Sequence, residues 1–195
     1  MKKSSDLAIL LVWLATLFAI VGFGTGDASA QRRDYLTDAE IELVRDNQEL
    51  DKRIVVLLTA MDRRLAAVGL VPAPSLGKKE TEKWGPTPTG TRLELLTDAK
   101  KILQKAIDDI DNLAERPDAL VVDPDVKNPK KFSDIFPKAL RELAAAAVRL
   151  RPIFAQELEK ATDRQEIGVL SDLADLCDQI IEASKKPLPD GKRKN

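Results

Sequence analysis

Thr37–Val68 reads TDAEIELVRDNQELDKRIVVLLTAMDRRLAAV, and its periodicity sets the class of all that follows. Leu43, Leu50, Ile54, Leu57, Leu58, Met61, Leu65 and Val68 recur at three- and four-residue intervals, which lines them along one face of an α-helix. Thr37 followed three residues later by Glu40 forms a capping box: the hydroxyl accepts one orphan amide while the carboxylate reaches back for another. Glu49 and Arg53 stand in the favoured order for an i, i+4 ion pair. The pattern predicts one continuous helix over about 38–68, roughly 45 Å long.

Three more segments repeat this logic. Thr91 and Glu94 open a second box, and Leu95, Leu96, Ala99, Ile102, Leu103, Ala106, Ile107, Ile110, Leu113 and Ala114 make one stripe that Pro117 ends. This predicts a helix over 91–116. Ser133 is a good N-cap and Pro137 falls in the tolerant first turn. Phe136, Leu140, Leu143, Ala147, Leu150, Phe154, Leu158 and Ala161 then keep one frame, predicting a helix over 134–161. Pro152 lies inside that frame and clashes with the carbonyl of Val148, so a kink is expected there. Beyond Thr162-Asp163 the phase changes to Ile167, Leu170, Ala174, Cys177 and Ile181, predicting a helix over 163–184 capped by Thr162 with Gln165 or by Asp163 with Glu166.

Four amphipathic helices with no period-two segment point to an all-α four-helix bundle. Residues 69–90 hold four prolines and four glycines, which predicts a long loop without regular structure, anchored by Trp84. Residues 117–132 are expected to be loop, with Leu120-Val121-Val122 tucked inward. The tail KKPLPDGKRKN, 185–195, is charged, proline-containing and expected to be disordered. Residues 31–184 thus form a single helical domain.

Composition excludes several chemistries. The chain has 195 residues, no His and one Cys. A zinc site needs about four N/S ligands, and haem ligation and Ser-His-Asp or Cys-His catalysis lack their imidazole. Ferritin-like di-iron sites need Glu-x-x-His pairs. No G-x-S-x-G, P-loop or G-x-G-x-x-G is present. With 31 Lys+Arg against 32 Asp+Glu, the net charge of −1 gives no global attraction to nucleic acid. No cofactor is implied and no catalytic residue is assigned.

The first thirty residues give a location. Lys2 and Lys3 precede an uncharged stretch, 7–26, and Ala28-Ser29-Ala30 follows. Positive, apolar and small-residue regions in that order read as a secretory signal cut before Gln31. Residues 7–26 are also about long enough to span a bilayer, so an uncleaved anchor is the alternative. Either reading places residues 31–195 outside the cytoplasm, in the periplasm or secreted, with membrane contact only through 7–26 if uncleaved.

Few side chains invite a site. Asn47 falls on the apolar seam beside Gln48, and Arg64 borders it, which suggests a polar pocket inside the bundle. The simpler reading is a register-setting Asn on a solvated face, with Arg64 snorkelling outward. Asp123, Asp125 and Asp134 match calcium-loop positions one, three and twelve, but Lys127 replaces a ligand and the turn glycine is missing. Asp172, Asp175, Asp178 and Glu182 line one helix opposite its apolar face, and the preceding helix carries Lys138, Arg141, Arg149 and Arg151. These could attract each other or a partner's charges, though most such stripes are solvated surface. Ala144–Ala147 allows close helix approach or simply favours helix. Cys177 lies on the seam as a buried thiol, with an intermolecular disulfide as the alternative.

The run Leu36–Arg45, LTDAEIELVR, continuing to Asp62-Arg63-Arg64-Leu65, resembles the opening helix of uncharacterised secreted bacterial helical proteins. The resemblance implies location and helicity and carries no activity. The sequence therefore points to a non-enzymatic structural or protein-interaction module that presents a helix face or the 69–90 loop to an envelope protein or to a second copy. The alternative is a small-ligand binder or sensor with a pocket between helices, near Pro152.

Overall fold

The computed structural model describes residues 34–117 and 130–186. Expectations for the signal and its cleavage residues Ala28, Ala30 and Gln31, for the 7–26 span, for Leu120-Val121-Val122, for Asp123 and Asp125, and for the tail beyond 186 lie outside those residues.

Among the described residues the chain is all-α, with six helices and no strand: α1 Asp38–Asp46, α2 Leu50–Ala67, α3 Lys78–Trp84, α4 Arg92–Glu115, α5 Phe132–Lys160 and α6 Arg164–Ser184. Both threonine boxes form: Thr37 and Thr91 accept the amides of Glu40 and Glu94, and each glutamate accepts the amide of its threonine. Asp163 caps α6 by accepting from Gln165 and Glu166. Helix α5 runs unbroken through Pro137 and Pro152, so its apolar frame does belong to one helix. It starts slightly earlier than expected. Lys131 is the N-cap, its amide held by Asp134, and Ser133 lies in the first turn.

Two of the expected elements differ. The predicted 38–68 helix is two helices, broken at Asn47-Gln48-Glu49. The Asn47 amide group donates to the Leu43 carbonyl at 2.8 Å and that of Gln48 to the Arg45 carbonyl at 2.6 Å. Side chains thus satisfy the last carbonyls of α1 in place of a continuing ladder, the competition that disfavours such residues within helices. Arg53 joins in by donating to the backbone carbonyl and side-chain oxygen of Gln48, so the expected Glu49–Arg53 pair is not made. Glu49 binds Lys52 and Lys130 instead.

The second difference is in 69–90, where α3 forms on KKETEKW, the stretch free of proline and glycine. The Gly77 amide donates to Glu80 and the Thr81 hydroxyl to the Gly77 carbonyl. Trp84 is buried as expected. Helix α2 itself ends where Gly69, at φ 77°, lets the amides of Gly69 and Leu70 bond the carbonyls of Ala66 and Leu65. That paired closure is a Schellman stop.

Ion pairs report how the long helices run. Asp51 with Lys138 and Asp62 with Arg149 join α2 to α5 in the same order, so those helices are parallel. Arg92 with Glu166 and Lys100 with Asp172 make α4 parallel to α6. Helix α2 packs on α4 and α5, and α6 packs on α5 and α4. The α5–α6 link is a tight turn between neighbours. The α4–α5 link, 116–131, joins helices that meet only sparsely, which explains why that connection is long and the other short.

The core is aliphatic. Leu57, Leu65, Leu96, Ile102, Leu103, Leu143, Leu150 and Leu170 are sealed from solvent around Phe154. On α6 the buried set is Leu170, Leu173, Ala174, Leu176, Cys177 and Ile180; Ile181 is only partly covered and Ile167 is exposed, a small rotation from the expected stripe. Among the described residues no helix is long and apolar enough to cross a membrane.

Candidate functional site: a buried arginine cluster under the third helix

The break at 47–49 folds α1 back along α2. In one straight helix Glu40 and Arg64 would stand roughly 36 Å apart, at about 1.5 Å per residue. In the folded chain they touch. Glu40 is wholly buried, and its two oxygens accept four hydrogen bonds. Oε1 takes Arg63 Nη1 at 2.5 Å and Arg64 Nη1 at 2.6 Å; Oε2 takes Arg64 Nη2 at 2.6 Å and the Thr37 amide at 2.9 Å. One carboxylate therefore caps α1 and forks onto Arg64 in the bidentate geometry that makes such pairs strong.

The arginines have further partners. Arg64, 1 % exposed, also donates to the carbonyls of Ala60 and Tyr35. Among the described residues its Nε is a buried donor without an acceptor. Arg63 donates through Nη2 to the carbonyls of Gly85 and Pro86 and lies 5.4 Å from the centroid of the Trp84 ring. The ring face attracts a guanidinium, an effect on the order of 1 kcal/mol. Gly85 makes this approach possible. Its φ of 65° lies in the left-handed region, and a Cβ there would come within 3.2 Å of Ala39. The cluster thus nails three pieces together: α1, α2 and the segment carrying α3.

Above Arg63 is an open cleft of about 200 Å³, whose walls include Ala66, Pro74, Leu76, Trp84 and Thr87. A second cavity of about 150 Å³ lies among α4, α5 and α6, between Ile107, Leu140, Asp111 and Gln179. There the Asp111 carboxyl is pushed up by burial and by the charges of Asp108 and Glu115. Neither cavity is lined by Pro152, Asn47 or Gln48.

The expected polar pocket is therefore not assembled. Asn47 and Gln48 terminate α1, while Arg64 lies 14 residues along α2 from Leu50, roughly 21 Å away. Arg64 does not snorkel; it is locked inward by Glu40. The sequence signals Glu40 as a cap and gives no sign of its second task, because partners 23 and 24 positions away share no local pattern. The polar Asn47 on the seam is the one visible hint that the helix turns back.

The remaining candidates are ordinary by position. Asp178 pairs with Arg151 and Asp172 with Lys100, while Lys138 and Arg149 bind Asp51 and Asp62 on α2, so only part of the acidic stripe meets the basic one. Asp134 caps α5. Ala146 and Ala147 pack inward while Ala145 faces solvent. Cys177 is buried as expected, and burial together with the Asp178 charge pushes its thiol up to about 12. Among the described residues no cluster of three or more His, Cys, Asp or Glu could hold a metal.

Comparison with protein-family models, with curated proteins and with solved structures finds no match.

Proposed function

We propose that the protein is a non-enzymatic, extracytoplasmic interaction module whose working surface is the 69–90 segment with α3, presented to an envelope protein or to a second copy. The observation that carries this reading is the attachment of that segment. A surface loop of this length normally costs ordering entropy when it binds. Here a buried guanidinium, two backbone carbonyls and a buried tryptophan hold it in one shape before any partner arrives. Function concentrates on loops positioned by rigid scaffolds. In this reading the scaffold is a four-helix bundle of α2, α4, α5 and α6, which the packing of each helix on two neighbours supports. The location rests on the signal-like residues 1–30, with cleavage before Gln31 or retention through 7–26, and on the resemblance to secreted helical proteins.

The test is site-specific photo-crosslinking in the native host. A crosslinker at Ser75 or Glu82 is expected to trap one discrete species, a second copy or an envelope protein. The same group at Gln104, on the exposed face of α4, is expected to trap none. Equal trapping from both positions, or none from the loop, rejects the reading. Mass spectrometry of the recovered protein reports whether it begins at Gln31.

A further inference from the structure

We propose that the cleft beneath α3 binds a small organic monocarboxylate, the carboxylate on Arg63 and the apolar body against Trp84, Pro74 and Leu76. Charge is the first argument. Among the described residues two buried guanidiniums share one carboxylate, so the cluster carries one positive charge more than Glu40 neutralises. Uncompensated charge away from water is costly, and an anion beside it relieves that cost. Of the two arginines, Arg63 lines the cleft. Its Nη groups donate three bonds, to Glu40, Gly85 and Pro86, out of the five N–H donors a guanidinium carries.

Preorganisation is the second argument. Arg63 is only 7 % exposed, and its guanidinium is fixed by the carbonyls on one side and the Trp84 ring on another. The donor therefore needs no reordering to meet a ligand. Around it the cleft is part apolar, from Ala66, Pro74, Leu76 and Trp84, with Thr81 and Thr87 also on its walls. Size is the third. An apolar cavity of about 150 Å³ accepts benzene, so about 200 Å³ suits a ring or short branched chain bearing one carboxylate. A neutral ligand would leave the surplus charge standing, and a dianion would exceed it.

The probe is benzoate, titrated calorimetrically into the full-length chain, with benzyl alcohol and benzylamine as controls of equal size. Benzoate is expected to bind saturably at one site. Benzyl alcohol should bind about tenfold more weakly, the scale of losing a charge-assisted hydrogen bond, and benzylamine not at all. Ala66→Leu fills the cleft from α2 without touching the charges and should abolish benzoate binding with helicity unchanged; Leu76→Trp fills it from the opposite wall should the first variant fold poorly. No saturable benzoate binding, equal binding of benzyl alcohol, or benzoate binding that survives in a folded cleft-filling variant overturns the proposal. This inference is independent of the crosslinking result: a chain that binds benzoate and traps no partner loses only the interaction role, and the converse loses only the ligand.

Discussion

Two buried carboxylates, Glu40 and Asp51, each hold two cations, and they teach opposite lessons about ion pairs. Asp51 at the start of α2 is 1 % exposed, but its partners Lys130 and Lys138 have side chains 44 % and 52 % exposed. Glu40 binds Arg63 and Arg64, which are themselves buried. If Asp51 is lost, two lysines swing into water. If Glu40 is lost, two guanidiniums stay trapped in the interior. Equal numbers of charges thus carry unequal consequences, because solvent can replace one carboxylate and not the other.

The sharpest way to break that contrast is Glu40→Ala. It should destabilise the protein by about 3–5 kcal/mol, the usual cost of stranding buried charge, read from urea denaturation. Cys177, far from the cluster in sequence and buried among α6 contacts, serves as a reporter. In the native protein a thiol reagent should label it only after denaturation. In a Glu40→Ala variant that merely releases α1 and α3, it should stay protected. Rapid native labelling of the unaltered protein would show that Cys177 is not enclosed by the core.

Trp84→Ala should cost about 3 kcal/mol and expose 69–90 to limited proteolysis while helicity persists. A change under about 1 kcal/mol would mean the tryptophan does not hold the segment. Asp51→Asn should cost only about 1 kcal/mol, and a loss comparable to that of Glu40→Ala would erase the distinction between the two clusters.

Acid gives a finer cut. Burial pushes the Asp51 carboxyl up, but hydrogen bonds and charge from Lys138 and Lys130 outweigh it and hold the group below its ordinary value of 3.8. Glu49 is likewise held below 4.5, chiefly by its hydrogen bonds from Lys130 and Lys52. Groups with depressed folded values add stability above their ordinary pKa and lose it as pH falls through the folded one. Stability should therefore decline as pH drops below about 4, and Asp51→Asn should flatten that decline. The smallest effect is salt. Raising ionic strength to about 1 M shortens screening to roughly 3 Å, which should weaken the lysine-held cluster by a few tenths of a kcal/mol and leave the effect of Glu40→Ala unchanged.

Helix existence was legible because it rests on local rules. The Thr37 and Thr91 boxes, the Pro117 stop and the frame running through Pro152 all concern residues within one or two turns of each other. What escaped was the reversal at Asn47-Gln48-Glu49. Its apolar spacing on either side fits one helix as well as two, so the pattern could not show a break that competing side-chain amides produce. Helix α3 escaped for a related reason: flanking prolines and glycines masked a seven-residue stretch too short for periodicity to speak. The cleft was invisible for want of any local signature, since its walls come from α2 and from residues up to 24 positions further on.

By itself, then, the sequence determined that the described chain is helical, which faces are oily, that Trp84 and Cys177 go inside, and that imidazole chemistry is closed to it. Tertiary structure alone decided that Glu40 meets Arg63 and Arg64, which helices run parallel, and that a charged cleft opens beneath α3. The division follows from range. Capping and periodicity act over one turn and are written in neighbouring letters, whereas buried charge is tolerable only where distant groups converge, and that convergence exists only once the helices have packed.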